Sequence, residues 1–106
     1  MKLYLQRNKA GVNATAEYDE TSGKLTVLKG SKVSERIAYT EKFRGAKSIE
    51  AARSGLIENG VLLEDKVFKS ASTAANFVTG SSTNGLIAWK DTNGNTLKAI
   101  KASRKE

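Results

Sequence analysis

The chain has no cysteine, no histidine and no proline. Without cysteine there is no disulfide framework, no thiolate nucleophile and no zinc finger. Without histidine there is no imidazole base, so Ser-His-Asp and Cys-His arrangements cannot be assembled from this chain. A metal site would have to be built from carboxylates alone, which suits magnesium or calcium. No apolar run approaches the roughly 18 residues needed to span a bilayer. The opening Met1-Lys2-Leu3-Tyr4-Leu5-Gln6-Arg7 lacks the long apolar stretch of a signal peptide. These absences point to a cytoplasmic chain with no membrane partner.

What is present fits one small domain. The 106 residues are 39% hydrophobic and 7% aromatic, enough for a single modest core and too apolar for a disordered chain. Lysine and arginine number 18 against 11 aspartate and glutamate, a net charge of +7. Such a balance favours a polyanion partner, because phosphate neutralisation with counterion release dominates nucleic-acid affinity. Its plainer reading is a set of solvated cations that keep a small domain soluble.

Val12, Ala14, Ala16 and Tyr18 alternate with Asn13, Thr15 and Glu17, the pattern of a half-buried strand. Asp19 to Gly23 supply a turn, and Leu25-Thr26-Val27-Leu28 return to complete a hairpin. Leu3-Tyr4-Leu5 adds an edge strand or is a frayed terminus. Ser31 to about Ala46 is rich in charge and reads as an irregular connection anchored by Ile37, Tyr39 and Phe43. From Lys47 to Asn59 the period becomes helical, with Ile49, Ala52, Leu56 and Ile57 on one face, Arg53 away from it and Gly60 as the C-terminal cap. Gly55 falls inside that helix at a cost of about 1 kcal/mol against alanine.

Val61-Leu62-Leu63, Glu64-Asp65-Lys66 and Val67-Phe68-Lys69 read as a second hairpin. Ser70 caps a second helix to about Thr79, with Ala71, Ala74, Ala75 and Val78 on a narrow small-residue face and Gly80 ending it. Ser81 to Gly85 is a polar loop, Leu86 to Lys90 a strand and Asp91 to Asn95 a turn. Lys98 to Glu106 is a basic tail, either a frayed helix or disordered. The expected fold is α+β, with antiparallel hairpins packed on two short helices. Residues 1–10 form an N-terminal strand or frayed end, 11–97 the single domain and 98–106 the tail.

Candidate chemistry lies in three places. The acidic groups Glu17, Asp19 and Glu20, and Glu64 with Asp65, sit at turns, where carboxylates are usually solvated and structural. Neither cluster has the ligand spacing of a calcium loop, so no catalytic residue, metal or cofactor is expected. Ser82 and Asn84, with Trp89 and Lys90 downstream, combine hydroxyl, amide and cation for phosphate oxygens with an aromatic face for a base. Asn84-Gly85 is equally a tight turn, and a lone tryptophan is usually core. Lys90 points opposite to Trp89 by strand alternation. Lys29-Gly30-Ser31-Lys32, with Arg36 nearby, can form a backbone nest for an anion, or a solvated loop. It lacks the G-x-x-x-x-G-K-[ST] pattern of a nucleotide phosphate loop.

Gly11-Val12-Asn13-Ala14-Thr15-Ala16-Glu17-Tyr18 followed by Leu25-Thr26-Val27-Leu28-Lys29-Gly30-Ser31 resembles the opening of a small uncharacterised bacterial domain. That domain is found appended to GIY-YIG-type nucleases and restriction-system methylases. Ser70-Ala71-Ser72-Thr73-Ala74-Ala75, Gly80, Asn84-Gly85 and Trp89-Lys90 are also similar to the RAMA domain, the restriction enzyme adenine methylase associated module. The likeness spans roughly Gly11 to Leu97. It departs where Ala71 replaces a frequent proline and where Leu86 replaces the aromatic that often follows Asn-Gly. The resemblance implies a non-catalytic module that accompanies DNA-acting enzymes and, for the RAMA type, recognition of DNA including modified DNA.

The expectation is therefore a DNA-binding accessory domain that contacts phosphates through Lys29, Lys32 and Arg36 on one loop and Ser82, Asn84, Trp89 and Lys90 on another. DNA and an associated nuclease or methylase subunit are the expected partners. The rival reading is a protein-interaction or oligomerisation module.

Overall fold

A computed structural model describes residues 1–34 and 46–103. Alternation builds its main sheet. Strand β1 (Lys2–Arg7) runs through a 3-10 turn (Asn8–Ala10) into β2 (Val12–Tyr18), and the two pair antiparallel with Leu3 opposite Ala16 and Leu5 opposite Ala14. β3 (Leu25–Val27) follows the Asp19–Gly23 turn and pairs with β2. The turn is held by the Asp19 carboxylate, which accepts from the backbone N–H groups of Thr21 and Ser22 and from the Ser22 hydroxyl. The inward set Leu3, Leu5, Val12, Ala14, Ala16, Leu25 and Val27 is buried. Lys2, Gln6, Asn13 and Glu17 point to the other side and are exposed. Leu3-Tyr4-Leu5 is thus a strand.

After α1 (Ala46–Arg53) the chain departs from the sequence reading. The helix stops at Arg53 instead of running to Asn59, because Gly55 takes the left-handed conformation (φ 76°) that unwinds it. Ile57–Glu58 (β4) and Val61–Leu62 (β5) then form a minimal hairpin across Asn59 and Gly60. Both turn residues have positive φ (54° and 77°), the requirement of a two-residue turn matched to strand twist. Gly60 is therefore a turn residue and not a helix cap. Val61-Leu62 does not pair with Val67-Phe68 either. β6 (Lys66–Phe68) crosses to the far side of β3, with Leu25 opposite Phe68, giving a sheet of order β1-β2-β3-β6.

Helix α2 (Ala71–Thr79) lies across the inner face of that sheet. The Ser70 hydroxyl accepts from Thr73 N at 3.1 Å, and Gly80 closes the helix. Ala74, Ala75 and Val78 are fully buried, as their spacing requires, and Phe77 joins them with its ring 5.0 Å from that of Phe68.

The segment expected as the strand Leu86–Lys90 is instead one helical turn, α3 (Gly85–Ala88). The Asn84 side chain accepts from Leu86 N, and the Asn84 and Gly85 carbonyls accept from Ala88 and Trp89. Local bonds thus take the backbone groups that a strand would need. Gly85 lies against the first turn of α2, where a Cβ would sit 2.2 Å from the Ala71 carbonyl carbon. Trp89 follows, fully buried, and its indole N–H donates to Ala71 O at 3.0 Å.

Helix α4 (Leu97–Ser103) packs Leu97 and Ile100 into the core. Among the described residues four helices, not two, complete the α+β domain, and none is long and apolar enough to cross a membrane.

Arg53 is buried rather than turned outward. Its guanidinium donates to the carbonyls of Phe77, Ser34 (2.8 Å) and Val78 (3.4 Å). A cation placed on the last carbonyls of α2 meets the negative end of the helix dipole and satisfies acceptors the helix leaves open.

Candidate functional site

Lys90 carries the geometry that organises the surface. Its backbone exchanges both hydrogen bonds with Tyr4 (Tyr4 N to Lys90 O, 2.7 Å; Lys90 N to Tyr4 O, 2.9 Å), so it extends the sheet by one residue beyond β1. The loop Ser81–Asn84 and α3 come down beside it. Between them and β1 runs a groove in two adjoining lobes that share Gln6, Ala88 and Lys90.

One lobe, about 380 Å³, is lined by Arg7, Ser82, Thr83, Asn84 and Ile87 in addition to the shared residues. Arg7, Ser82, Asn84 and Lys90 are all exposed there. The Asn84 carbonyl oxygen is committed to the α3 cap, which leaves its amide nitrogen as the donor. Thr83 is held in place by its N–H to the Asn76 side chain (2.8 Å) and by the Thr79 hydroxyl. Two cations, a hydroxyl and an amide donor around one concavity suit the oxygens of a phosphate.

The other lobe, about 450 Å³, adds Tyr4, Asp91, Thr92 and Gly94. Its carboxylate is occupied, since Asp91 accepts from the N–H groups of Asn95 and Asn93 and from the Asn95 side-chain amide. These bonds, the Asn95 backbone contact first, hold the Asp91 carboxyl below its ordinary value. Negative charge in this lobe makes the Arg7 side the better anion site.

Three of the sequence candidates, Ser82, Asn84 and Lys90, therefore meet in one groove. Trp89 does not join them: at 0% exposure and bonded to Ala71 O, it is core and cannot stack on a ligand. Arg36 lies outside the described residues.

The expected backbone nest at Lys29 to Lys32 is also absent. All four amides have protein acceptors: Lys29 N donates to Asp65 Oδ1 (2.7 Å), Gly30 N to Leu62 O (2.9 Å), Ser31 N to Leu28 O (3.2 Å) and Lys32 N to Asn13 O (2.9 Å). What this loop offers is the exposed side chains of Lys29 and Lys32. Asp19 serves its own turn and Asp65 ties its loop to Lys29 N, and among the described residues no three acidic groups come together.

The residues missed by sequence reasoning are Tyr4, Gln6 and Arg7 on β1. For Tyr4 and Gln6 the signal was the alternation with Leu3 and Leu5, which sends them to the solvent side once β1 is taken as a strand; Arg7, in phase with Leu3 and Leu5, is exposed only at the end of the strand.

Over residues 3–101 the chain matches the domain of unknown function DUF4357, and it belongs to that family. Nearly the whole fold, from β1 into α4, lies within the match. No curated protein and no solved structure matches the chain.

Proposed function

We propose that this domain is a non-catalytic DNA-binding module of the cytoplasm, of the kind attached to nucleases or restriction-modification enzymes, and that it holds DNA chiefly through phosphates. The observation that carries the reading is the groove that gathers Arg7, Ser82, Asn84 and Lys90. The net charge of +7 supports it, as does the resemblance to modules that accompany DNA-acting enzymes. An enzyme subunit that supplies catalysis is the second partner on this reading, and base modification is what the module would sense.

Fluorescence anisotropy of labelled DNA across a salt series tests it. With about six phosphate contacts, affinity falls on the order of a thousandfold between low and moderate salt. Lys90→Ala weakens binding and makes the salt slope shallower by about one contact. Absence of binding to any form of DNA at low salt removes the proposal.

One observation favours the protein-interaction reading. Val67 (60% exposed) lies on β6 at the edge of the sheet, and Leu63 (43%) lies just before it. Edge strands with exposed apolar groups pair with other chains. A salt-insensitive dimer in light scattering, lost in Val67→Lys, would carry that alternative.

A further inference from the structure

Lys90 and Lys32, one from each basic patch, stand on one face. Two isolated bridges settle this through strand parity. Lys90 is directly opposite Tyr4, which is opposite Thr15. Lys32 is directly opposite Asn13, which is opposite Gln6. Residues directly opposite across a ladder project to the same side. Tyr4 and Gln6 are two apart in one strand and share a side as well. Lys90, Tyr4, Gln6, Asn13, Thr15 and Lys32 therefore form one continuous surface, the side of the sheet away from α2. Lys90, Gln6, Asn13 and Lys32 are exposed and Tyr4 and Thr15 half-buried, so this surface is open.

Its chemistry is ordered. The two lysines stand three strand spacings and one two-residue step apart, roughly 15 Å, each with a further bridge on its outer side, Lys90 to Thr96 and Lys32 to Val61. Between them lie one aromatic ring and two side-chain amides. Among the described residues neither lysine is in an ion pair. Acids flank this surface without closing it: Glu17 lies 3.7 Å from the N-terminal ammonium towards the far end of β2 from Lys32, exposed Glu58 stands beyond Lys32 through Val61, and Asp91, held by Asn93 and Asn95, lines the lobe beside Tyr4 and Lys90.

Building on the DNA-binding reading, we propose that the partner is single-stranded DNA laid across this open sheet face, with Tyr4 stacking on a base, Gln6 and Asn13 at base edges, and Lys32 and Lys90 on flanking phosphates. A duplex offers base edges in its grooves but hides its base faces, so the ring between the cations would have no base to stack on. A single strand presents phosphates, base faces and base edges together. The groove beside Lys90 then continues the path, taking the next phosphate between Arg7 and Ser82.

The test compares a labelled mixed-sequence single strand with the same strand annealed to its complement, at low salt, using the full chain. The single strand is expected to bind more tightly. Tyr4→Ala weakens it by roughly tenfold or more, as loss of one stacked base does, whereas Tyr4→Phe keeps it and neither change alters duplex affinity. Lys32→Gln weakens the single strand too, although Lys32 is remote from the groove; this arm stands even if Tyr4→Ala fails to fold, which Trp89 emission reports. Duplex bound as tightly as single strand, or Lys32→Gln without effect, overturns the inference and leaves the DNA-binding reading standing. Failure of both DNA forms to bind removes both.

Discussion

Replacing Gly85 with alanine sets two rules against each other. Inside a helix, alanine is favoured over glycine by about 1 kcal/mol, so local propensity predicts a more stable protein. The packing predicts the opposite. The new Cβ would lie 2.2 Å from the Ala71 carbonyl carbon, 2.3 Å from its oxygen and 2.4 Å from Ser72 N. All three are backbone atoms, so no side-chain rotation relieves the overlap, and α3 must retreat from α2 by close to an ångström. Overpacking of this kind costs roughly 1–3 kcal/mol. The retreat also stretches two 3.0 Å hydrogen bonds that cross the same contact, Gly85 N to the Ser72 hydroxyl and the Trp89 indole to Ala71 O. Each contributes about 1 kcal/mol. The net loss is about 3 kcal/mol, a large share of the 5–15 kcal/mol typical of a domain. Trp89 is the chain's single tryptophan and is fully buried, so its emission follows urea unfolding directly. Gly85→Ala should lower the urea midpoint by about 1 M or more. An unchanged or raised midpoint would show that the close approach of α2 and α3 is not as described.

Arg53→Met keeps the side-chain volume and removes the donors on Phe77 O, Ser34 O and Val78 O. At roughly 1–3 kcal/mol for each buried acceptor left short, the loss is about 3 kcal/mol, and Arg53→Lys should recover part of it; equal midpoints for Met and wild type would deny the guanidinium this role. Asp19 is held below its ordinary value first by the Ser22 hydroxyl and then by the Thr21 N–H, and Asp91 is lowered likewise. A lowered folded value means that each turn's contribution is complete above the unfolded value and disappears as pH falls through the folded one, in the acid range below 3.8. Carboxyl-carbon NMR titration should place both midpoints under that value, and a midpoint at or above it for either residue contradicts the turn geometry.

The hairpin β2–β3 and helix α2 were legible because each satisfies its own rule over enough residues. Seven alternating positions in β2 cannot be mistaken for a helix, and Ser70, the alanine face and Gly80 mark both ends of α2. Shorter pieces lacked that redundancy. Leu86 to Lys90 has the apolar content of a strand, yet five residues do not separate the two periods, and the Asn84 cap decided for a helical turn. Gly55 and the Asn59-Gly60 pair competed for the end of α1; Gly60 is the usual capping residue, but positive φ at both Asn59 and Gly60 suits a hairpin better. The burial of Arg53 had no local signal at all. Its reason lies at the C-terminal end of α2, more than twenty residues on.

The site divides along the same line. That Lys32 and Lys90 are exposed cations follows from the residues themselves. That they share a face depends on register. Lys32 is bridged to Asn13 and Val61, Lys90 to Tyr4 and Thr96, and a slip of one residue at either lysine would send it to the opposite side. The slip is resisted from within: moving Lys90 by one position would pull Trp89 out of the core and off Ala71 O, and moving Lys32 would expose Val33, which is 2% accessible. The neighbouring buried residues thus fix where the cations point. Buried Trp89, which cannot touch a ligand itself, positions Lys90 beside Tyr4, so a change that loosens the tryptophan should weaken binding through Lys90 as well as lowering stability.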